Sequence, residues 1–279
     1  ELLRRRESGF SPAFRRIASF LLADYSRASF MTASELAKAA GVSQPSVTRF
    51  ISYLGFDSYG RFQRTLQAIV RAEMKGPSRL WGMDGKVAGD VPYAGLLQEE
   101  LQNLSRLGDT LASQAFRDAA ATLADAREIL VGGFRASLAL AEYTAFFLAK
   151  VHPRVRAFTR ADSRSWEELS RLEPQGSCLL MYAFPRYASE SLEFQRFARS
   201  CGFSVVLVTD SPLAPLARHA DCTLVAPVAF RSLFDSYCAP MVLANALIQE
   251  VARRHPERTE AMLRRFEELA EQRKLFVAL

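Results

Sequence analysis

Residues 31–56 read MTASELAKAAGVSQPSVTRFISYLGF, and the parsing of this stretch decides the fold of the first part of the chain. Thr32 and Glu35 have the spacing of a capping box, in which the hydroxyl and the carboxylate each satisfy a backbone N–H left open by the first helical turn. Leu36, Ala37 and Ala40 then share one face of a short helix, and Gly41 supplies the left-handed conformation that ends it. Ser43 is placed as the N-cap of a second helix. Pro45 then falls in the first turn, where its missing N–H had no intrahelical partner anyway. Val47, Phe50, Ile51 and Leu54 follow at i, i+3, i+4 and i+7, a single apolar stripe, and Gly55 closes the helix.

The opposite side carries Pro45, Thr48, Arg49 and Ser52, flanked by Gln44, Ser46 and Tyr53. These side chains are small or hydrogen-bonding, with one arginine. A helix facing only water more often shows Glu and Lys. Two short helices joined by a Gly-containing turn, the second polar on its outer side, make a helix-turn-helix. In that unit the second helix enters the major groove of double-stranded DNA, its N-terminal residues at base edges. Ser43, Gln44, Pro45, Ser46, Thr48, Arg49, Ser52 and Tyr53 are therefore the candidate DNA contacts. Residues 12–25 place Phe14, Ile17, Ala18, Leu21 and Tyr25 on one face, and residues 58–74 place Tyr59, Phe62, Leu66, Ile69 and Val70 on another. The outer side of the latter carries Arg61, Arg64 and Arg71, suited to phosphates. The plainer reading is a helical bundle with a solvated basic face.

Charge agrees with a nucleic-acid partner. The first 80 residues hold 13 Lys/Arg against 6 Asp/Glu, and the remainder holds 23 against 24. A basic small domain joined to a near-neutral larger one is the pattern of a polyanion-binding module attached to something else. No apolar run approaches the ~18–20 residues of a membrane span. The opening ELLRRRESGF has no apolar signal-peptide core, so a cytoplasmic protein without a membrane partner is expected. Cys178, Cys201, Cys222 and Cys238 lie far apart with no CxxC or Cys/His cluster. No metal site or cofactor is expected, and each cysteine reads as a buried small hydrophobe.

The Gly- and Pro-containing stretch KGPSRLWGMDGKVAGDVPYAG, residues 75–95, marks a boundary. The expected organisation is an all-α helix-turn-helix domain over 1–79, a linker over 80–95, and an α/β domain over 96–279. Five strand-like runs follow at 128–133, 155–159, 177–184, 203–210 and 222–227. Their near-continuous apolar character predicts a five-stranded parallel sheet covered on both faces by helices. Helices are expected near 136–150, 164–172, 187–201, 213–219 and 235–254. The tail, 256–276, reads as an amphipathic helix with Met262, Phe266 and Leu269 on one side.

In such folds ligands bind beyond the carboxyl ends of the strands, where strand order reverses. Two strand-end loops matter for that reason. GGFRAS, residues 132–137, offers glycines, Arg135 and Ser137 ahead of a helix N-terminus. AFPRYASES, residues 183–191, offers Arg186, Tyr187 and Ser189. Two arginines on converging loops can clamp a phosphate or a carboxylate; the alternative is that both merely solvate loop tips. GxSxG, P-loop and GxGxxG patterns are missing from the sequence. His152, His219 and His255 read as helix-end or surface residues. Glu142 and Glu190 could face the crevice, with no second acid–base group paired to either.

SELAKAAGVSQPSVTRFISYLGFDSYGRFQ, residues 34–63, resembles the N-terminal domain of RpiR-type bacterial transcriptional regulators. The second domain resembles their sugar isomerase (SIS) domain, most closely in TDSPLAPLARHAD, residues 209–221. The resemblance implies a ligand-responsive regulator, usually dimeric, of genes for sugar or related catabolism. It also implies phosphosugar binding by hydroxyls on the first and third strand loops. Ser137 matches the first-loop serine, and Ser236 would be the serine near the start of a late helix.

Two departures stand out. Arg135 takes the place of the usual second glycine, and Tyr182, Phe184, Pro185 and Tyr187 lie where the third loop reads like SxSGxT. Arg135 and Arg186 are expected to substitute for that cradle and select a small anionic effector, a phosphosugar or an organic acid. The effector set is thus Gly133, Arg135, Ser137, Tyr182, Arg186, Tyr187, Ser189 and Ser236. The expected partners are double-stranded DNA, that effector, and further copies of the chain as a homodimer or higher oligomer. Two rivals are a sugar-phosphate isomerase with an attached helical domain, and an SIS domain serving only as a dimerisation scaffold. In the second rival Phe134, Phe184 and Tyr187 would fill the crevice.

Overall fold

The computed structural model describes residues 10–73, 93–229 and 234–277. The chain divides into two compact units, Glu1–Ser78 and Arg79–Leu279. Most of the expected linker lies outside the described residues. Its end does not: a helix already begins at Ala94.

The first unit is helical among its described residues: α1 (Pro12–Ala23), α2 (Tyr25–Ala28), α3 (Ala33–Ala39), α4 (Gln44–Tyr53) and α5 (Tyr59–Glu73). The capping box forms as expected, with Thr32 Oγ1 accepting from the Glu35 N–H and Glu35 accepting from the Thr32 N–H at 2.7 Å. The Thr32 N–H and the Thr32 hydroxyl, at 2.8 Å, both bond the Glu35 carboxylate and hold it below its ordinary pKa. Gly41 and Gly55 take positive φ, 64° and 93°, and end α3 and α4. Ile17, Leu21, Leu36, Val47, Phe50 and Ile51 are buried together. Phe50 lies edge-to-face with Phe10 and Phe14. Ile69, expected in this core, is instead 45% exposed, at the margin of the α5 stripe. Helix α5 is fastened by side-chain hydrogen bonds that the sequence did not show. Tyr59 Oη and Gln63 Nε2 both donate to the Met31 carbonyl, and Gln67 Nε2 donates to Ser29. Burial pushes the Tyr59 phenol up to about 12.

The second unit opens with two helices, α6 (Ala94–Ala112) and α7 (Gln114–Ala124). Then come β1 (Ile129–Gly133), α8 (Leu138–Leu148), β2 (Val155–Phe158), α9 (Ser163–Arg171), β3 (Cys178–Tyr182), α10 (Ser189–Ser200), β4 (Ser204–Thr209) and β5 (Cys222–Val225). Helices α11 (Cys238–Arg254) and α12 (Pro256–Arg273) complete it. The five strands pair in parallel, in the order β2-β1-β3-β4-β5. Alternate residues feed two apolar layers, as the two-residue period of a strand requires. Ile129, Val131, Leu180, Val206 and Val208 join α6, α7, α8 and α11. Leu130, Leu179, Met181, Val205 and Leu207 join α9 and α10.

Four local expectations need correcting. Residues 213–219 do not form an α-helix: Pro212 and Pro215 break any run of i→i−4 bonds. The segment closes by three-residue turns and a short 3-10 turn, Ala217–His219. Strand β2 is an edge strand with Arg156 and Ala157 exposed, and Arg156 pairs with Glu128 and Glu168. Of the cysteines only Cys178 is fully buried, and Cys238 is exposed. His152 is no surface histidine: it is 1% exposed, its ring nitrogens 2.9 Å from the Ala126 carbonyl and 3.0 Å from that of Arg154.

Candidate functional site

On α4 the apolar stripe turns inward and Gln44, Pro45, Thr48, Arg49, Ser52 and Tyr53 are exposed. Two expected details differ. Ser43 occupies the cap position, but its hydroxyl makes no capping bond to the helix and meets Ser46 Oγ at 2.9 Å instead. Ser46 is buried, at 9% exposure, so it sits behind the outer face rather than on it. Arg49 leans on this serine, its Nη2 3.4 Å from Ser46 Oγ. Thr48 Oγ1 donates back to the Gln44 carbonyl at 3.3 Å. The Tyr53 ring is braced by Phe14 at 5.5 Å and Phe10 at 6.0 Å, and is still 42% exposed. Arg61 and Arg64 are exposed on α5, Arg61 paired with Asp57 one turn back. The surface is a short polar helix end carrying a mobile-length cation, with hydroxyl and amide groups around it. Such groups can donate to or accept from base edges and phosphates.

In the second unit the strand order reverses between β1 and β3. The loops after these neighbours, residues 134–137 and 183–188, therefore flank the crevice where parallel sheets hold ligands. Gly133 has to be glycine: a Cβ there would lie 2.5 Å from the Ser137 carbonyl oxygen and 2.9 Å from the Ala141 Cβ. That contact draws the start of α8 tightly over the end of β1.

Arg135 and Arg186 share an unusual backbone, with φ of 55° and 60°. The left-handed region costs a residue with a Cβ about 1–2 kcal/mol. Side chains retained under such strain cluster at ligand sites. Arg135 Nε lies 3.2 Å from Glu190 Oε1, which joins the first loop to the first turn of α10. Helix α10 starts without a side-chain cap at its N-terminus, where Ser189 is exposed. Ser137 is buried at 6% exposure, and Ser236 is half-buried. The neighbour of Ser236, Tyr237, packs against Phe184 just past the end of β3, the rings tilted with 5.2 Å between centroids.

Two expected effector residues are engaged within the protein. Tyr182 is fully buried, its hydroxyl 2.9 Å from Thr144 Oγ1, and burial pushes its phenol well above the ordinary range. As the last residue of β3 it alternates into the α8 layer and belongs to the core. Tyr187 is half-buried and donates to Asp210 Oδ1 at 2.6 Å, tying the third loop to the end of β4. Phe134 and Phe184 are buried in opposite layers. Among the described residues no group of His, Cys, Asp and Glu is arranged to hold a metal, and no helix is long and apolar enough to cross a membrane.

Comparison with known proteins agrees with this architecture. The helix-turn-helix domain of the rpiR family matches residues 1–72, and the SIS domain matches residues 122–249. The uncharacterized HTH-type transcriptional regulator YfhH of Escherichia coli (strain K12) is 27% identical over 154 residues, 53% of this chain. The chain spans about half the length of that relative, 54%. The sugar isomerase domain of an RpiR transcription factor from Sphaerobacter thermophilus superposes with a TM-score of 0.59 at 25% identity. That match covers 63% of this chain and 99% of the other. The Vibrio vulnificus NanR protein, in complex with ManNAc-6P, shares the fold across 100% of both chains, with a TM-score of 0.61 at 19% identity. With its two domains matched in this order, the chain belongs to the RpiR family of helix-turn-helix regulators carrying a C-terminal SIS domain.

Proposed function

We propose that this protein is a cytoplasmic DNA-binding transcriptional regulator that acts as a homodimer and whose SIS domain senses a small anionic metabolite, a sugar phosphate in the first instance. The observation that carries the reading is the outward polar face of α4, held by a capped partner helix and a basic following helix. A dimer would present two such helices to half-sites related by two-fold symmetry. The sensing half rests on the β1–β3 crevice, where Arg135, Arg186, Ser137, Ser189 and the uncapped start of α10 supply donors for an anion. That NanR is held in complex with ManNAc-6P supports a phosphosugar over a plain organic acid. A regulator is favoured over an isomerase because Glu190, the carboxylate beside the crevice, is occupied by Arg135 rather than set against a second acid–base group.

The test is to sequence the genomic fragments retained by purified protein, then titrate sugar phosphates and organic acids against the bound fragment. Specific retention that one class of anion alters is the expected result. Absence of DNA binding at low ionic strength overturns the regulator reading. Retention unaffected by any metabolite leaves the SIS domain as a scaffold.

A further inference from the structure

An ion pair joins the two walls of the crevice. Arg135, on the turn after β1, reaches Glu190 in the first turn of α10, Nε to Oε1 at 3.2 Å. Glu190 lies four residues past Arg186, so the contact ties the turn of one strained arginine to the helix that follows the other. As a structural bond the pair is poorly made. It uses a single N–H of the guanidinium rather than a two-pronged edge, and 75% of the Arg135 side chain is exposed against 34% of Glu190. Exposed pairs of this kind contribute little to stability. Arg135 also holds φ at 55°, which works against any residue with a Cβ. The fold gains little from a weak bond reached from a strained backbone.

For ligand choice the same bond has a consequence. Glu190 sets a carboxylate on a guanidinium that the sensing role assigns to an incoming anion, at a helix start that lacks a side-chain cap. It is therefore a resident competitor: an anion that takes Arg135 must first displace it. A tethered group competes at an effective concentration on the order of millimolar. A free carboxylate only exchanges like for like, so below that concentration it loses. A phosphate monoester carries about −1.5 to −2 charges near pH 7 and three acceptor oxygens. Those oxygens can accept from Arg135, Arg186 and backbone N–H groups together, which a single carboxylate cannot match.

We propose that Glu190 is a specificity-determining residue of the crevice, an internal counter-anion that Arg135 gives up to a phosphate monoester and keeps against a carboxylate. This rests on the sensing role proposed above and adds the basis on which the anion is chosen.

The test uses the full chain and the concentration of each anion that gives the same thermal shift. The probes are matched pairs that differ in the anionic group, glucose 6-phosphate against glucuronate and inorganic phosphate against acetate. In the parent each phosphate should act at a concentration at least tenfold below that of its carboxylate. Glu190→Gln, nearly isosteric, should strengthen the response to both and to the carboxylates more, narrowing that ratio at least fivefold. Glu193→Gln removes the same charge from an exposed position of α10 three residues on, and should leave the ratio unchanged. A ratio unmoved by Glu190→Gln, or moved equally by Glu193→Gln, overturns the competitor. So does a weaker response of Glu190→Gln to every anion, which makes Glu190 a ligand contact, and so does a parent that answers phosphates and carboxylates alike. In these cases loss of the response in Arg135→Ala with Arg186→Ala keeps the sensing role. A response that the arginine pair variant retains, or no shift by any anion in any variant, overturns both.

Discussion

The outward polar helix α4 and the β1–β3 crevice use opposite constructions. Helix α4 is regular: four apolar residues point inward at helical spacing, and the residues left over face outward. The crevice is irregular: its charged residues sit on strand-to-helix turns, two of them in a backbone conformation that glycine would adopt more cheaply. Exposure on α4 follows from stability, because the same periodicity that packs Phe50 presents Arg49. At the crevice the two arginines keep a backbone that works against stability, as the anion-binding role proposed for them requires.

The sharpest break between the two regions is a core truncation. Phe50→Ala should cost about 3–5 kcal/mol and abolish DNA binding, while the α/β unit keeps its own melting transition. Loss of both transitions together, seen by calorimetry, would show that the units do not melt independently. Next, Arg49→Ala should weaken specific DNA binding by about 1–3 kcal/mol and relax the base preference at one position of each half-site. An equal loss on all sequences, with a shallower salt dependence, would move Arg49 to the phosphates.

A smaller effect has the opposite sign. Arg135→Gly and Arg186→Gly should each stabilise the fold by about 0.5–1 kcal/mol through relief of left-handed strain, and each should blunt the metabolite response. Destabilisation by either would show that its side chain packs for the fold. The least effect is a pH slope. Burial lowers the His152 pKa from 6.5, so the neutral ring stabilises the fold fully above pH 6.5. That contribution fades as pH falls through the lower folded value. His152→Gln should flatten the fall in melting temperature between pH 7 and 5, and leave DNA binding at pH 7.5 unchanged.

Much of this was legible in the sequence, for identifiable reasons. Thr32, Glu35, Gly41 and Gly55 announce helix ends by local chemistry that tertiary packing does not alter. The five strands are legible because parallel sheets bury both faces. Residues 213–219 misled because their composition is helical while Pro212 and Pro215 forbid the bonds. Tyr182 misled because position in a loop motif says nothing of strand alternation; the pleat turns it into the core beside Thr144. Ser46 looked outward on the helical wheel, yet the turn from α3 covers it.

Gly133 sets a limit on how this crevice can be altered. With only 2.5 Å between an added methyl and the Ser137 carbonyl, the backbone path out of β1 has no slack. Substitutions meant to re-tune the crevice must therefore keep this route and exchange the side chains hung along it. Chimeras that swap positions 135 and 186 while sparing 133 are the natural starting material for re-tuned biosensors.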